Sequence, residues 1–108
     1  MNKYRAKKVS LKGYTFDSKA EARRFGELML LERAKKIISL EVHPTYHLNV
    51  NGQNIGKYIG DFRYIDPRTN YTIVEDVKSP VTAKLPAFKM KKKLMLALYG
   101  IEVKEVRA

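Results

Sequence analysis

Hydrophobic positions change their spacing along the chain, and each change marks an element. Between Phe16 and Ile37, residues Ala22, Phe25, Leu28, Met29 and Ala34 form an apolar stripe at helical spacing. Asp17 or Ser18 supplies the N-cap, and Ser18 with Glu21 reads as an S-x-x-E capping box. Gly26 weakens this helix slightly. Then the period shortens. Val42, Tyr46, Leu48 and Val50 predict a strand, and Asn51-Gly52, both tolerant of positive φ, predict a tight hairpin. Ile55, Tyr58, Ile59, Phe62 and Tyr64 predict a second strand. After a turn at Asp66–Asn70, "YTIVEDVK" predicts a third. Such short connections favour a three-stranded antiparallel meander. "SPVTAKLPA" reads as a loop. Pro86 suits the first turn of a helix running to about Tyr99, with Gly100 as its C-cap. Phe88, Met90, Leu94, Met95 and Leu98 would be its apolar face. Ile101–Val106 alternates as a last strand. Residues 1–14 read as a basic arm or short strand with Gly13 at a turn. The expected order is α-β-β-β-α-β in one 108-residue α/β (α+β) domain, with no repeat or linker.

Charge narrows the class of partner. Lys and Arg number 22 against 11 Asp and Glu, a net charge of +11. So large an excess on so small a domain points to a polyanion, nucleic acid first and anionic membrane second. Neither helix has the aromatic-rich apolar face opposite a fully basic one that a membrane surface asks for. The longest apolar runs, such as Leu28–Leu31, are too short to span a bilayer. No apolar segment follows the basic start, so a signal peptide is not expected. The absence of cysteine excludes disulfides, thiolate zinc sites and Cys nucleophiles, and fits a reducing cytoplasm. The basic residues gather in two groups. One is Arg5, Lys7 and Lys8. The other is Lys84 with Lys89, Lys91, Lys92 and Lys93 on the second helix. Lysines so arranged either hold a phosphodiester backbone or form a solvated face.

The acids carry the candidate chemistry. Side chains alternate faces along a strand, so Val74, Asp76 and Lys78 share one face and Ile73, Glu75 and Val77 the other. Glu75 is then structural or a supporting partner. Asp61, on the second strand, falls roughly opposite Asp76. A one-residue offset about Arg68 is left for a bulge or the turn geometry to absorb. Two carboxylates meeting on a sheet face repel unless a cation sits between them, and all-oxygen ligation suits Mg²⁺ or Mn²⁺. Lys78 can orient a water or stabilise charge on a phosphate. The blander alternative is an Asp–Lys surface pair, since D-x-K is a common tripeptide. Glu21 has a capping task already, yet lies on the side of the helix that faces the sheet, so both roles can coexist. His43 and His47 on one strand stand roughly 13 Å apart, too far to share a zinc. They read as surface or packing residues, with His43 near the site.

Glu21, Asp61 and Asp76-Val77-Lys78 in this order of elements resemble the PD-(D/E)XK nuclease superfamily. The stretches "KYRAKK", "FDSKAEARRF", "LLERAKKI", "GDFRY", "VEDVKS", "FKMKKKL" and "YGIEV" resemble a small phage-borne endonuclease-like family within it, over most of the chain. More distantly, the chain is similar to phage junction-resolving endonucleases. The resemblance implies a restriction-endonuclease-like core, a mixed four-stranded sheet flanked by helices. It also implies that Asp61, Asp76, the Val77 carbonyl and Glu21 hold the metal, and that Lys78 is the catalytic lysine. Gly60 stands where the superfamily's name has Pro, and His43-Pro44 where the phage family often has Gln-Pro. The implied activity is Mg²⁺- or Mn²⁺-dependent cleavage of DNA, on branched or structured substrates in phage recombination, replication or packaging. Cutting two strands needs two sites, which favours a homodimer. The alternative is a nucleic-acid-binding accessory protein without catalysis. A mere binder, however, has no need of carboxylates that repel phosphates.

Overall fold

The computed structural model describes residues 8–108. Strands β1 (Val9–Leu11) and β2 (Tyr14–Phe16) pair as a hairpin, turned by Lys12 and Gly13 at positive φ. Helix α1 (Lys19–Arg33) follows. Then come β3 (Ile38–Val42), β4 (Thr45–Val50), β5 (Gln53–Ile59), β6 (Phe62–Asp66) and β7 (Tyr71–Lys78). A single 3-10 turn at Thr82–Lys84 leads into α2 (Pro86–Tyr99), and β8 (Lys104–Arg107) ends the chain's regular structure. The main sheet has the order β3-β6-β7-β8, with the first two pairings antiparallel and the last parallel. The chain is therefore α+β, with a mixed four-stranded sheet and two helices.

The strands differ from the expected meander in one respect that shapes the site. The first expected strand is two, broken at His43–Pro44, and the second is two, broken at Gly60–Asp61. Between the breaks, β4 and β5 leave the main sheet as a hairpin of their own. Each break has a local cause. His43 takes φ 55, and Pro44 has no N–H to give a ladder. Gly60 is buried so closely that a Cβ there would lie 2.9 Å from Val74 Cγ1. Asn51 and Gly52 do turn the β4–β5 hairpin, both at positive φ.

Helix α1 stops at Arg33, before the end of its sequence pattern, because Ala34 caps it and Lys35 turns to φ 60. Helix α2 has the expected bounds, with Pro86 in its first turn and Gly100 at φ 68 as its left-handed cap. Its buried face is narrower than the sequence suggests. Phe88 and Met95 are buried, whereas Met90 and Leu98 are exposed. Strand β8 starts three residues later than expected.

The sheet has a core on each face. One contains Phe16, Phe25, Leu28, Phe62 and Val77, and belongs to α1. The other contains Leu48, Tyr58, Val74, Phe88 and Met95, and belongs to α2 and the β4–β5 hairpin. The alternation along β7 thus sends Glu75 and Val77 towards α1, and Val74 and Asp76 towards α2.

Candidate functional site

Asp61 and Asp76 do meet. The β6–β7 ladder pairs Phe62 with Glu75 and Asp66 with Tyr71. One further step sets Asp61 across from Asp76, and the Asp61 N–H donates to the Glu75 carbonyl at 3.0 Å. The ladder runs without a bulge. The apparent offset vanishes because the turn is centred between Arg68 and Thr69, not on Arg68.

The break after Gly60 frees the Asp61 side chain to turn along the end of the sheet. Its Oδ2 accepts the Val77 N–H at 2.6 Å. The N–H and C=O of a strand residue point to the same edge, so the Val77 carbonyl faces the same gap beyond the end of β6. Lys78 faces the other way, its carbonyl accepting the Ala108 N–H at 3.2 Å. Asp61, Glu21 and His43 each bring a ligand atom to within 4.8 Å of the others. The Glu21 N–H donates to Ser18 Oγ at 3.1 Å, and the Ser18 hydroxyl donates back to Glu21 Oε2 at 3.3 Å. The carboxylate that closes the helix cap therefore also stands beside Asp61. The sequence marks His43 as a surface or packing residue near the site. It is exposed, its ring lies 5.9 Å from that of Phe16, and its N–H donates to the Asp61 carbonyl at 2.9 Å.

Asp76 stands outside that group of three and is 4% exposed. Its Oδ2 accepts the Tyr58 hydroxyl at 2.6 Å, and its Oδ1 pairs with Lys78 Nζ at 3.1 Å. Lys78 Nζ also lies 4.6 Å over the Phe88 ring. Burial pushes the Asp61 carboxyl up to about 8. The Val77 N–H works against this, and the charges of Asp76 and Glu21 add to it. Tyr58 is raised well above the ordinary phenol range, by burial first and then by the Asp76 charge it donates to. Glu75, on the α1 face and fully buried, has the opposite fate. Burial pushes it up, but Arg24 and Tyr64 outweigh burial and hold it below the usual carboxylate range. Arg24 grips it twice, at 2.8 and 2.7 Å, and the Tyr64 hydroxyl donates to it as well.

The donor set fits a hard divalent ion. Two carboxylates, Glu21 and Asp61, converge with the His43 imidazole and have no salt-bridge partner among the described residues, Asp76 stands across from Asp61 on β7, and no thiolate is present. The Val77 carbonyl faces the same gap.

The lysines are distributed differently from the sequence reading. Lys57 and Lys91 rim a cleft of about 370 Å³ that opens beside Asp76 and Lys78. Lys92 is held by Glu105 of β8, and Lys89 and Lys93 border a separate hollow with Leu96 and Glu102. Lys84 and Lys8 are exposed, and Arg5 and Lys7 lie outside the described residues. Lys57 and Tyr58 escaped sequence reasoning. A lone Lys-Tyr on a strand has no pattern, and only the hairpin's departure from the sheet aims them at Asp76. Among the described residues no helix is long and apolar enough to cross a membrane.

A family model described as "Protein of unknown function (DUF1064)" matches residues 1–107. No curated protein and no solved structure matches the chain.

Proposed function

The chain belongs to the DUF1064 family, and we propose that it is a metal-dependent DNA endonuclease on a restriction-endonuclease-like core. One observation carries this reading. Asp61 and Asp76 oppose each other at the end of paired strands, with Glu21 on one side and Lys78 at the mouth of a lysine-rimmed cleft on the other. Asp61, Asp76, Glu21 and the Val77 carbonyl would hold Mg²⁺ or Mn²⁺. The ion supplies Lewis-acid charge to the phosphate and acidity to the attacking water.

The chain's own residues have separate tasks. Burial and its acidic neighbours raise the Asp61 carboxyl to about 8, so a cation held there would favour its ionised form. The Tyr58 hydroxyl fixes the rotamer of Asp76 by donating to Oδ2. The Lys78 side chain is 26% exposed, so it can keep its bond to Asp76 and still donate to a phosphate oxygen in the cleft. The substrate is taken as branched or otherwise structured DNA, as the resemblance to junction-resolving endonucleases implies. Two cuts favour a homodimer. The working compartment of such an enzyme is the cytoplasm.

A second reading, a nucleic-acid-binding protein without catalysis, has one observation in its favour. Both oxygens of Asp76 are already engaged by Tyr58 and Lys78. Incubation of plasmid and four-way-junction DNA with Mg²⁺, Mn²⁺ or EDTA separates the two. Cutting is expected with metal and not with EDTA, and Asp76→Asn and Lys78→Ala abolish it while DNA binding persists. A wild type that cuts neither DNA with either metal would leave only the binding reading, and variants that cut normally would refute the site assigned to Asp76 and Lys78.

A further inference from the structure

The cleft beside Asp76 is bounded by two elements that are far apart in sequence, the β4–β5 hairpin and α2. Lys57 stands on the hairpin wall and Lys91 on the helix wall. Both are exposed, and neither has a salt-bridge partner among the described residues. Between them the floor is apolar, made by Ile59, Leu85, Ala87 and Phe88. Ile59 is 47% and Leu85 49% exposed, so this floor meets solvent. Lys78 enters the cleft from β7 beside Asp76.

We propose that this cleft is the strand-binding groove of the protein. In it, Lys57 and Lys91 hold the phosphates on either side of the one that meets Lys78, and the apolar floor covers the sugar face between them. The proposal rests on the nuclease reading only in taking DNA as the polyanion. Charge complementarity argues for it: three lysines line one small cleft, and its only acid, Asp76, is buried and already paired with Lys78. It also changes which lysines matter. The run at Lys89–Lys93 looks like the binding element in sequence. Yet Lys92 is spent on Glu105, and Lys89 and Lys93 border a different hollow, so Lys91 alone of the run lines this cleft.

The test uses the whole chain in EDTA, so that binding is read without cleavage. Fluorescence anisotropy with a labelled duplex oligonucleotide, and with one of its single strands, is followed across a series of salt concentrations. Each phosphate contact contributes about 0.9 to the slope of log K against log salt on duplex, and about 0.7 on a single strand. Lys57→Gln and Lys91→Gln are each expected to reduce the slope by about one contact, and the double variant by about two. The Lys35→Gln/Lys36→Gln pair, at the far end of α1 beside Asp66 and Arg68, is expected to leave it unchanged. Both substitutions in the cleft are at exposed positions, and circular dichroism checks that the variants are folded. The proposal is overturned if Lys57→Gln and Lys91→Gln leave the slope unaltered on both DNAs, or if the distant pair lowers it as much. A protein that shows these slopes but never cuts DNA keeps this groove and loses the catalytic reading. One that cuts while both variants bind normally does the reverse.

Discussion

Asp61→Asn should make the metal-free protein more stable at alkaline pH, although it removes a candidate ligand. Asp61 is pushed from 3.8 up to about 8, by burial first, with Asp76 and Glu21 adding to it. A carboxyl raised in the folded state binds its proton more tightly there than in the unfolded chain. Stability is therefore greatest below the unfolded value near 4, falls as pH rises towards about 8, and is flat above that. Each tenfold change in an acidity constant is worth ~1.4 kcal/mol, which sets a ceiling on the order of 5–6 kcal/mol. Partial exposure and relaxation cut this, and about 2–4 kcal/mol is the working expectation. The Asn side chain can still accept the Val77 N–H and carries no charge to bury. Thermal or urea unfolding in EDTA at pH 5 and pH 8.5 reads the effect. The wild type should lose stability relative to Asp61→Asn between the two pH values, and at pH 8.5 the variant should melt on the order of 10 °C higher. Mg²⁺ or Mn²⁺ should then raise the wild type at pH 8.5 and leave the variant almost unmoved. If the gap between the two proteins does not change with pH, the carboxylates do not burden one another and the electrostatic reading of the site is wrong.

Three further outcomes are expected. Gly60→Ala places a Cβ 2.9 Å from Val74 Cγ1; it should cost about 1–3 kcal/mol in urea unfolding and reduce cleavage by shifting Asp61. Tyr58→Phe removes the hydroxyl that donates to Asp76 Oδ2; a loss of about 1–3 kcal/mol is expected, with cleavage falling through kcat more than through KM. Arg24→Met leaves the fully buried Glu75 without its bidentate partner; it should cost about 3–5 kcal/mol, and added Glu75→Gln should recover part of that in a double-mutant cycle.

Much of this was legible in sequence wherever the deciding interaction is local. Pro86 and Gly100 bracket α2 because a missing N–H and a left-handed cap are properties of single residues. The alternation through "VEDVK" divided Glu75 from Asp76 for the same reason. The break into β3 and β4 had its signal in Pro44, and Gly60 carried the other, but apolar alternation on both sides hid them. What could not be read is set by long-range packing. Arg24 finds Glu75 across 51 residues, and Lys92 finds Glu105 across 13. No periodicity marks such pairs, so Lys92 reads in sequence as one of a basic run and nothing singles out Arg24. The exposure of Met90 and Leu98 has the same origin, because the second core meets α2 only along the stripe of Phe88, Leu94 and Met95.

The two carboxylates of "VEDVK" show what kind of deficit the site has. Glu75 is buried, yet Arg24 and Tyr64 keep its acidity stronger than usual. One residue on, Asp76 meets a tyrosine hydroxyl and one lysine, while Asp61 beside it accepts, among the described residues, a backbone N–H and is pushed up to about 8. A chain with 22 basic residues does not lack cations to spare. The chain places an arginine against the acid on the α1 face, and against Asp61 and Glu21 it places none among the described residues. A cluster left uncompensated by the described residues of so basic a protein is a matter of geometry, not of composition. A cation from solution would relieve it if small enough to enter between Asp61 and Glu21 and hard enough to prefer their oxygens, as the proposed metal requires.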